Sequence, residues 1–156
     1  MNNAFKILLF TIVVTLFYNY VGQMVPQKET HPPKEIVLNP DMTTEEMVEI
    51  GAELAAGKGT CLTCHTIGAP AGRFPDLAGI ATIAKTRVEG MSDVDYLAES
   101  MYEPNKYVVE GFVPGMPVIH KPPIAMTDME ILTIIAWLQT LGGEATVTMQ
   151  TEPVSY

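Results

Sequence analysis

Both cysteines of the chain fall in one short motif, "CLTCH", in which two residues separate Cys61 from Cys64 and His65 follows directly. On a helix, residues three and four positions apart share a face, so the three side chains can point towards one flat object. A porphyrin would use all three, because two thiols can add to its vinyl groups and an imidazole can bind its iron. C-x-x-C-H is the sequence signature of this attachment. We therefore predict one covalent haem c, attached through Cys61 and Cys64, with His65 as an iron ligand.

Three other interpretations of the two cysteines remain open. A thioredoxin-like redox pair would follow a strand in a βαβ unit, and no strand pattern precedes Cys61. A zinc site would need a fourth ligand at short spacing, and His120 is the one further histidine of the predicted folded domain. A structural disulfide would leave His65 without a role.

The second axial position of the iron could be filled from the segment "FVPGMPVIH". Met116 lies between Pro114 and Pro117, whose fixed φ angles lower the entropic cost of holding a thioether on iron. Met116 is therefore the predicted second metal ligand, and a neutral thioether favours a comparatively high reduction potential. His120 is the alternative ligand, with a lower potential, and an open position is the third option.

The elements around these residues begin with an apolar segment, residues 1–25, in which Lys6 precedes the apolar run. A helix of roughly 19 residues spans about 28 Å, close to the thickness of a hydrocarbon core. Tyr18 and Tyr20 suit an interfacial belt, and Lys6 favours the cytoplasmic side. A cleaved secretory signal peptide is the alternative, but no small-residue cleavage site follows Tyr20. We therefore expect an uncleaved single-pass anchor in the cytoplasmic membrane, with the rest of the chain on the outer face.

The remaining chain divides into three parts. Residues 26–42 contain four prolines, which exclude a regular helix and indicate a semi-rigid linker in which His31 is a solvated residue. Residues 43–142 are the predicted folded domain. Residues 143–156 form a tail that we expect to be disordered or laid against a partner.

Within residues 43–142, helix signals occur without a clear strand pattern, so the domain is predicted to be all-α. N-terminal capping signals and apolar periodicity predict four helices. The first is capped by Thr43 with Glu46, and the second covers residues 78–86. The third is capped by Ser92 or Asp93 and ends before Pro104, and the fourth is capped by Thr127 with Glu130.

The net charge of −9 restricts the possible partners. The nine basic residues are scattered, which excludes the basic face that nucleic acid requires. An acidic surface increases the encounter rate with basic partners without identifying one. The acidic stripe of the first predicted domain helix, Glu45, Glu49 and Glu53, is interpreted as a solvated face, with partner docking as the alternative.

In sequence order, "GAELAAGKGTCLTCHTIG", "GRFPDLAGI", "YLAESMYEPNKYV", "VPGMPVI" and "LTIIAWLQTL" together resemble class I c-type cytochromes. The similarity covers residues 43–142, about two thirds of the chain. It implies an all-α fold around one haem, with His65 as the proximal ligand and Met116 as the distal ligand. The N-terminal anchor, the linker and the tail depart from the pattern of a freely diffusing carrier.

The resemblance also implies roles for three further residues. Pro75 matches the proline whose carbonyl accepts the proton of the ligand histidine's other nitrogen, which orients the ring and raises its basicity. Gly51 and Trp137 match the positions where the first and last helices of the domain cross closely, a glycine facing an aromatic residue. Pro75 therefore belongs to the predicted cofactor site, whereas Gly51 and Trp137 are predicted to be structural.

These features predict a membrane-tethered cytochrome c that passes single electrons between a donor and an acceptor protein. No nucleophile or proton-transfer group is arranged as in an enzyme, so we expect no catalysis by the chain alone. The linker and tail favour a fixed subunit of a quinol-oxidising complex, similar to the monohaem subunits of alternative complex III, over a free-standing tethered carrier. A haem enzyme or gas sensor with an exchangeable sixth ligand is the third alternative.

Overall fold

The computed structural model describes residues 2–26, 36–70 and 72–152, which form six helices and no strand. The helices are α1 (Asn3–Met24), α2 (Thr44–Ala56), α3 (Cys61–Cys64), α4 (Ile80–Arg87), α5 (Asp93–Tyr102) and α6 (Asp128–Thr140). The chain separates into two compact units, Met1–Glu35 and Ile36–Tyr156. The all-α prediction is therefore confirmed for the described part of the chain.

The described part of the first unit contains α1, an apolar helix of 22 residues with no buried side chain. Its mean hydropathy of 1.8 and its length would allow it to cross a membrane, and a signal sequence near an N-terminus has the same properties. The helix matches the bounds predicted for the anchor, residues 1–25, to within two residues.

Most of the predicted linker, residues 27–35 with His31 among them, lies outside the described residues. The described remainder, residues 36–42, contains a turn and no helix. A lack of helix there agrees with Pro40 and with the proline content that predicted a linker.

The helices α2 and α6 make the largest interhelical interface of the second unit. Both predicted capping boxes are present, with the side-chain oxygen of Thr43 accepting from the Glu46 N–H and that of Thr127 accepting from the Glu130 N–H. Each box satisfies two backbone donors at the start of its helix. Residues 131–139 of α6 are all buried, so this helix forms the centre of the core.

Gly51 of α2 lies directly against the backbone of α6. A Cβ built on Gly51 would lie 2.0 Å from the carbonyl oxygen of Thr133 and 2.9 Å from the Cβ of Trp137. No side chain fits in that space, so the predicted close crossing of the two helices at Gly51 and Trp137 is confirmed.

The two shorter helices complete the core. The helix α4 begins after Gly79, which has a φ of +71°, two residues later than predicted. Ser92 caps α5 by accepting from the Asp95 N–H, as predicted. Core side chains contributed by these helices include Ile80, Ala84, Tyr96, Leu97 and Met101.

The C-terminal segment differs from its prediction, because residues up to 152 pack on the chain's own second unit. Gln139 of α6 is 1% exposed, and its Oε1 accepts from the N–H of Thr146 at 2.9 Å and of Val147 at 3.3 Å. Its Nε2 donates to Asp93 at 2.9 Å. The buried Val147 also accepts through its carbonyl from the Thr44 hydroxyl at 3.1 Å. The segment is thus part of the fold.

Substituting Gln139→Leu is expected to destabilise the full chain by about 2 kcal/mol, because the N–H groups of Thr146 and of the buried Val147 lose their acceptor. Denaturant unfolding of the detergent-solubilised chain would measure the loss. The matched control is Gln150→Leu, since Gln150 is exposed and its side-chain amide donates to the Pro40 carbonyl at the surface. Equal stability of the two variants would contradict a structural role for Gln139.

Candidate functional site

One cleft in the second unit brings together residues from α3, α4, α5 and α6 and from the loops that follow α3 and α5. Its empty space, including the part open to solvent, is about 980 Å³. Most of the lining is apolar and includes Leu77, Ile80, Leu97, Met101, Ile134 and Leu138. A cleft with a mostly apolar lining and a few polar groups suits a largely apolar organic ligand.

The short helix α3 places the motif that contains both cysteines at one wall of the cleft. Cys61 and His65 line the cleft, whereas Cys64 is exposed and is not part of the lining. His65 lies one residue beyond the helix in an extended conformation, with φ −100° and ψ 142°, and its N–H donates to the Cys61 carbonyl at 2.9 Å. His65 is therefore the C-cap of α3, and of the three side chains those of Cys61 and His65 reach the cleft.

Both thiols are free, so the structure contains no disulfide between them. Burial raises the pKa of Cys61. Its Sγ lies 3.8 Å from the Gly59 carbonyl, within reach of a weak S–H donor bond. Gly59 allows this approach, since a Cβ there would lie 3.3 Å from both that Sγ and Cδ1 of Ile134. Cys61 thus sits as a neutral thiol facing the cleft.

His65 is oriented by a single strong contact, between its Nδ1 and the Pro75 carbonyl oxygen at 2.7 Å. A carbonyl can only accept, so Nδ1 carries the proton and Nε2 keeps its lone pair. This is the tautomer in which Nε2 can bind a metal such as iron, and the hydrogen bond from Nδ1 raises the basicity of the imidazole. The structure therefore places Pro75 beside His65 as the resemblance implied.

Asp76 organises the loop that carries Pro75. Its carboxylate accepts from the Thr66 hydroxyl at 2.6 Å and from the N–H groups of Gly68, Ala69 and Ala78. The hydrogen bond from the Thr66 hydroxyl is the main cause of the lowered pKa of Asp76. Partial desolvation raises this pKa, and the three N–H donors lower it further. A carboxylate with four donors fixes the loop, so the Pro75 carbonyl is held in place.

Met116 and His120, the two candidates for the second axial position, lie in different environments. Met116 is half-buried and lines the same cleft as His65. His120 is not part of that lining and packs against the Tyr102 ring, with 5.1 Å between ring centroids. Its Nδ1 is buried and has no hydrogen-bond partner among the described residues. Of the two, the structure brings only Met116 to the cleft of His65.

Sequence reasoning missed several residues of the cleft, among them Phe74 and the polar group of Arg87, Tyr96 and Tyr107. The two tyrosine rings meet edge to face, with 6.0 Å between centroids. Burial raises the pKa of Tyr96, and the positive charge of Arg87 partly opposes this. Only Phe74 carried a usable signal, because it lies in the quoted "GRFPDL" motif next to Pro75.

The residue types that line the cleft are compatible with a largely apolar cofactor held by a thiol, an imidazole or a thioether. The cleft offers a thiol, an imidazole with a free lone pair and a thioether within an apolar lining. A zinc ion finds no group of three His, Cys, Asp or Glu side chains among the described residues. The described part of the chain also has no strand before Cys61, which a thioredoxin-like pair would follow.

Neither the protein-family models nor the curated proteins include a match to this chain.

Proposed function

We propose that the chain is a membrane-anchored monohaem cytochrome c with a class I fold that passes single electrons between redox proteins. The observation that carries the proposal is the cleft, where Cys61, His65 and Met116 converge and where the Pro75 carbonyl holds His65 in the ligand tautomer. The C-x-x-C-H motif adds the chemical reason for a covalent haem, since it accounts for both cysteines of the chain.

Haem c, when bound, supplies an iron that accepts and releases one electron. Cys61 and Cys64 would hold the group by thioether bonds, and His65 Nε2 and the Met116 sulfur would bind its iron. The apolar lining excludes water, which lowers the local dielectric constant and disfavours the more highly charged ferric state. The chain needs no nucleophile or proton donor for this task, so it would act as an electron carrier and not as an enzyme by itself.

The apolar helix α1 is proposed to anchor the chain in the cytoplasmic membrane. Its length and composition permit a single pass. Lys6 near its N-terminus favours retention of that end on the cytoplasmic side, which would place the haem-binding unit on the outer face. There, we propose, the chain serves as a subunit of a quinol-oxidising complex and exchanges electrons with the donor and acceptor proteins of that complex.

The axial ligation can be tested by comparing Met116→Leu with His120→Leu in the full chain, produced in a host that attaches haem c. Leucine cannot bind iron, so loss of the true ligand opens a coordination position. We expect carbon monoxide to bind the reduced Met116→Leu variant at neutral pH, whereas the parent and His120→Leu variant do not bind it. Absorption spectra of the reduced proteins would show the difference.

Two results would contradict the proposal. Carbon monoxide binding by the parent chain at neutral pH would indicate an exchangeable sixth position and favour a haem enzyme or gas sensor. A chain that releases all its haem on denaturation would exclude covalent attachment.

A further inference from the structure

Phe74 contacts both of the segments that carry the proposed axial ligands. Its ring lies beside the His65 ring, with 6.1 Å between centroids and 51° between planes. A Cβ built on Gly115 would lie 3.4 Å from Cε1 and 3.8 Å from Cζ of Phe74, so the edge of the same ring faces the residue before Met116. Phe74 therefore bridges the two sides of the cleft.

The position of the Phe74 ring is fixed from several directions. Cζ of Arg73 lies over the ring, 5.7 Å from its centroid, in the geometry of a cation–π contact. Pro75 restricts the backbone conformation of the residue before it. Asp76, two residues after Phe74, accepts the four hydrogen bonds that hold the loop. The ring is thus a rigid support against which a more mobile segment can pack.

The segment before Met116 has little other support. Val113, Pro114 and Gly115 are exposed, and Val113 is 58% exposed. The segment belongs to no helix. An exposed loop with few buried contacts opens at low free-energy cost. Contact between the Phe74 ring and Gly115 supplies one of the few apolar restraints on this loop.

We infer that Phe74 is a positioning residue that holds the Met116 loop closed over the cleft and so limits displacement of Met116 from iron by small ligands. The inference rests on the proposed function, because it needs Met116 to be an iron ligand. Loss of the ring would free the loop to swing outward without removing either ligand. The expected consequence is a tighter apparent affinity for any external ligand that competes with the Met116 sulfur.

The test uses the full-length, haem-loaded ferric protein in detergent and titrates it with imidazole, followed by absorption. Phe74→Leu is expected to lower the apparent Kd for imidazole by about tenfold, equivalent to about 1.4 kcal/mol. The matched control is Phe10→Leu, the same substitution at a phenylalanine of α1 that is 71% exposed and is not part of the cleft lining. We expect a change of less than about threefold for this control, equivalent to about 0.65 kcal/mol. Phe74→Tyr should restore the behaviour of the parent.

A second substitution tests the contact itself in the opposite direction. Gly115→Ala adds a methyl group at ordinary contact distance from the Phe74 ring, so it should raise the Kd for imidazole. In the Phe74→Leu variant, adding Gly115→Ala should no longer raise the Kd for imidazole. If alanine acted only by stiffening the loop, the Kd would rise in this variant as well. If Phe74→Leu loads haem poorly, Gly115→Ala alone still tests the inference, because an unchanged or lower Kd for imidazole in this variant would overturn it.

The outcomes separate the inference from the proposed function. Equal imidazole affinities for the Phe74→Leu and Phe10→Leu variants, in a parent that shows the sulfur-to-iron charge-transfer band, would overturn the inference and leave the proposed function intact. A parent without covalent haem or without that band would overturn the proposed ligation, and the inference with it.

Discussion

Replacing both Cys61 and Cys64 by serine is expected to remove all covalently bound haem from the chain. A serine hydroxyl does not form the thioether by which c-type haem is held, and the chain has no other cysteine. The measurement is haem-dependent peroxidase staining of a denaturing gel, normalised to the amount of polypeptide. The parent band should stain and the double-variant band should not.

The single variants refine this prediction. Cys61 lines the cleft and Cys64 is exposed, so we expect Cys61→Ser to retain less haem than Cys64→Ser. Leu62→Ser is the matched control, because Leu62 lies inside the same motif and is 42% exposed. It should retain parental staining. A stained band from the double variant would contradict attachment through these thiols.

Substituting Gly51→Ala is expected to destabilise the second unit by at least about 3 kcal/mol, because overpacking displaces helix backbone. Intrinsic propensity predicts the opposite sign, since alanine in place of a helix glycine is favourable by about 1 kcal/mol. The contact decides between them, because the new Cβ would lie 2.0 Å from the Thr133 carbonyl oxygen. Helices α2 and α6 would have to separate, and they form the largest interface of the unit.

Circular dichroism during thermal unfolding would measure the effect, with Gly72→Ala as the control. A Cβ added at Gly72 would meet no atom within 4 Å, so this substitution should change stability by less than about 0.5 kcal/mol. A Gly51→Ala variant as stable as the Gly72→Ala variant would show that the two helices are not in backbone contact.

The parts of the fold that could be predicted from the sequence depend on residues that are only a few positions apart along the chain. A capping box needs only two residues three positions apart, and both boxes, at Thr43 and Thr127, are present. The start of α5 at Ser92 is set by the same kind of local signal. For the cleft, the C-x-x-C-H motif and the proline-flanked Met116 were likewise recognised from short segments, and the structure places Cys61, His65 and Met116 along one cleft.

The features that sequence did not predict depend on residues far apart in the chain. The Thr44 hydroxyl bonds to the Val147 carbonyl across 103 positions, and a polar C-terminal sequence gives no sign that Val147 becomes buried. The role of Phe74 depends on Gly115, far along the chain, whose missing side chain leaves room for the ring. His65 leaves the helix because α3 is only four residues long, and no residue type in the motif marks that end.

The packing of the C-terminal segment brings the two ends of the described domain together. Gln150 Nε2 donates to the Pro40 carbonyl at 3.0 Å. Residue 152 lies two positions beyond Gln150 and residue 36 lies four positions before Pro40, so the two ends are close in space. A peptide of about eight residues would bridge any separation that this contact allows. The domain could therefore be circularly permuted, with the original ends joined and a new opening at the exposed turn around Gly90 between α4 and α5.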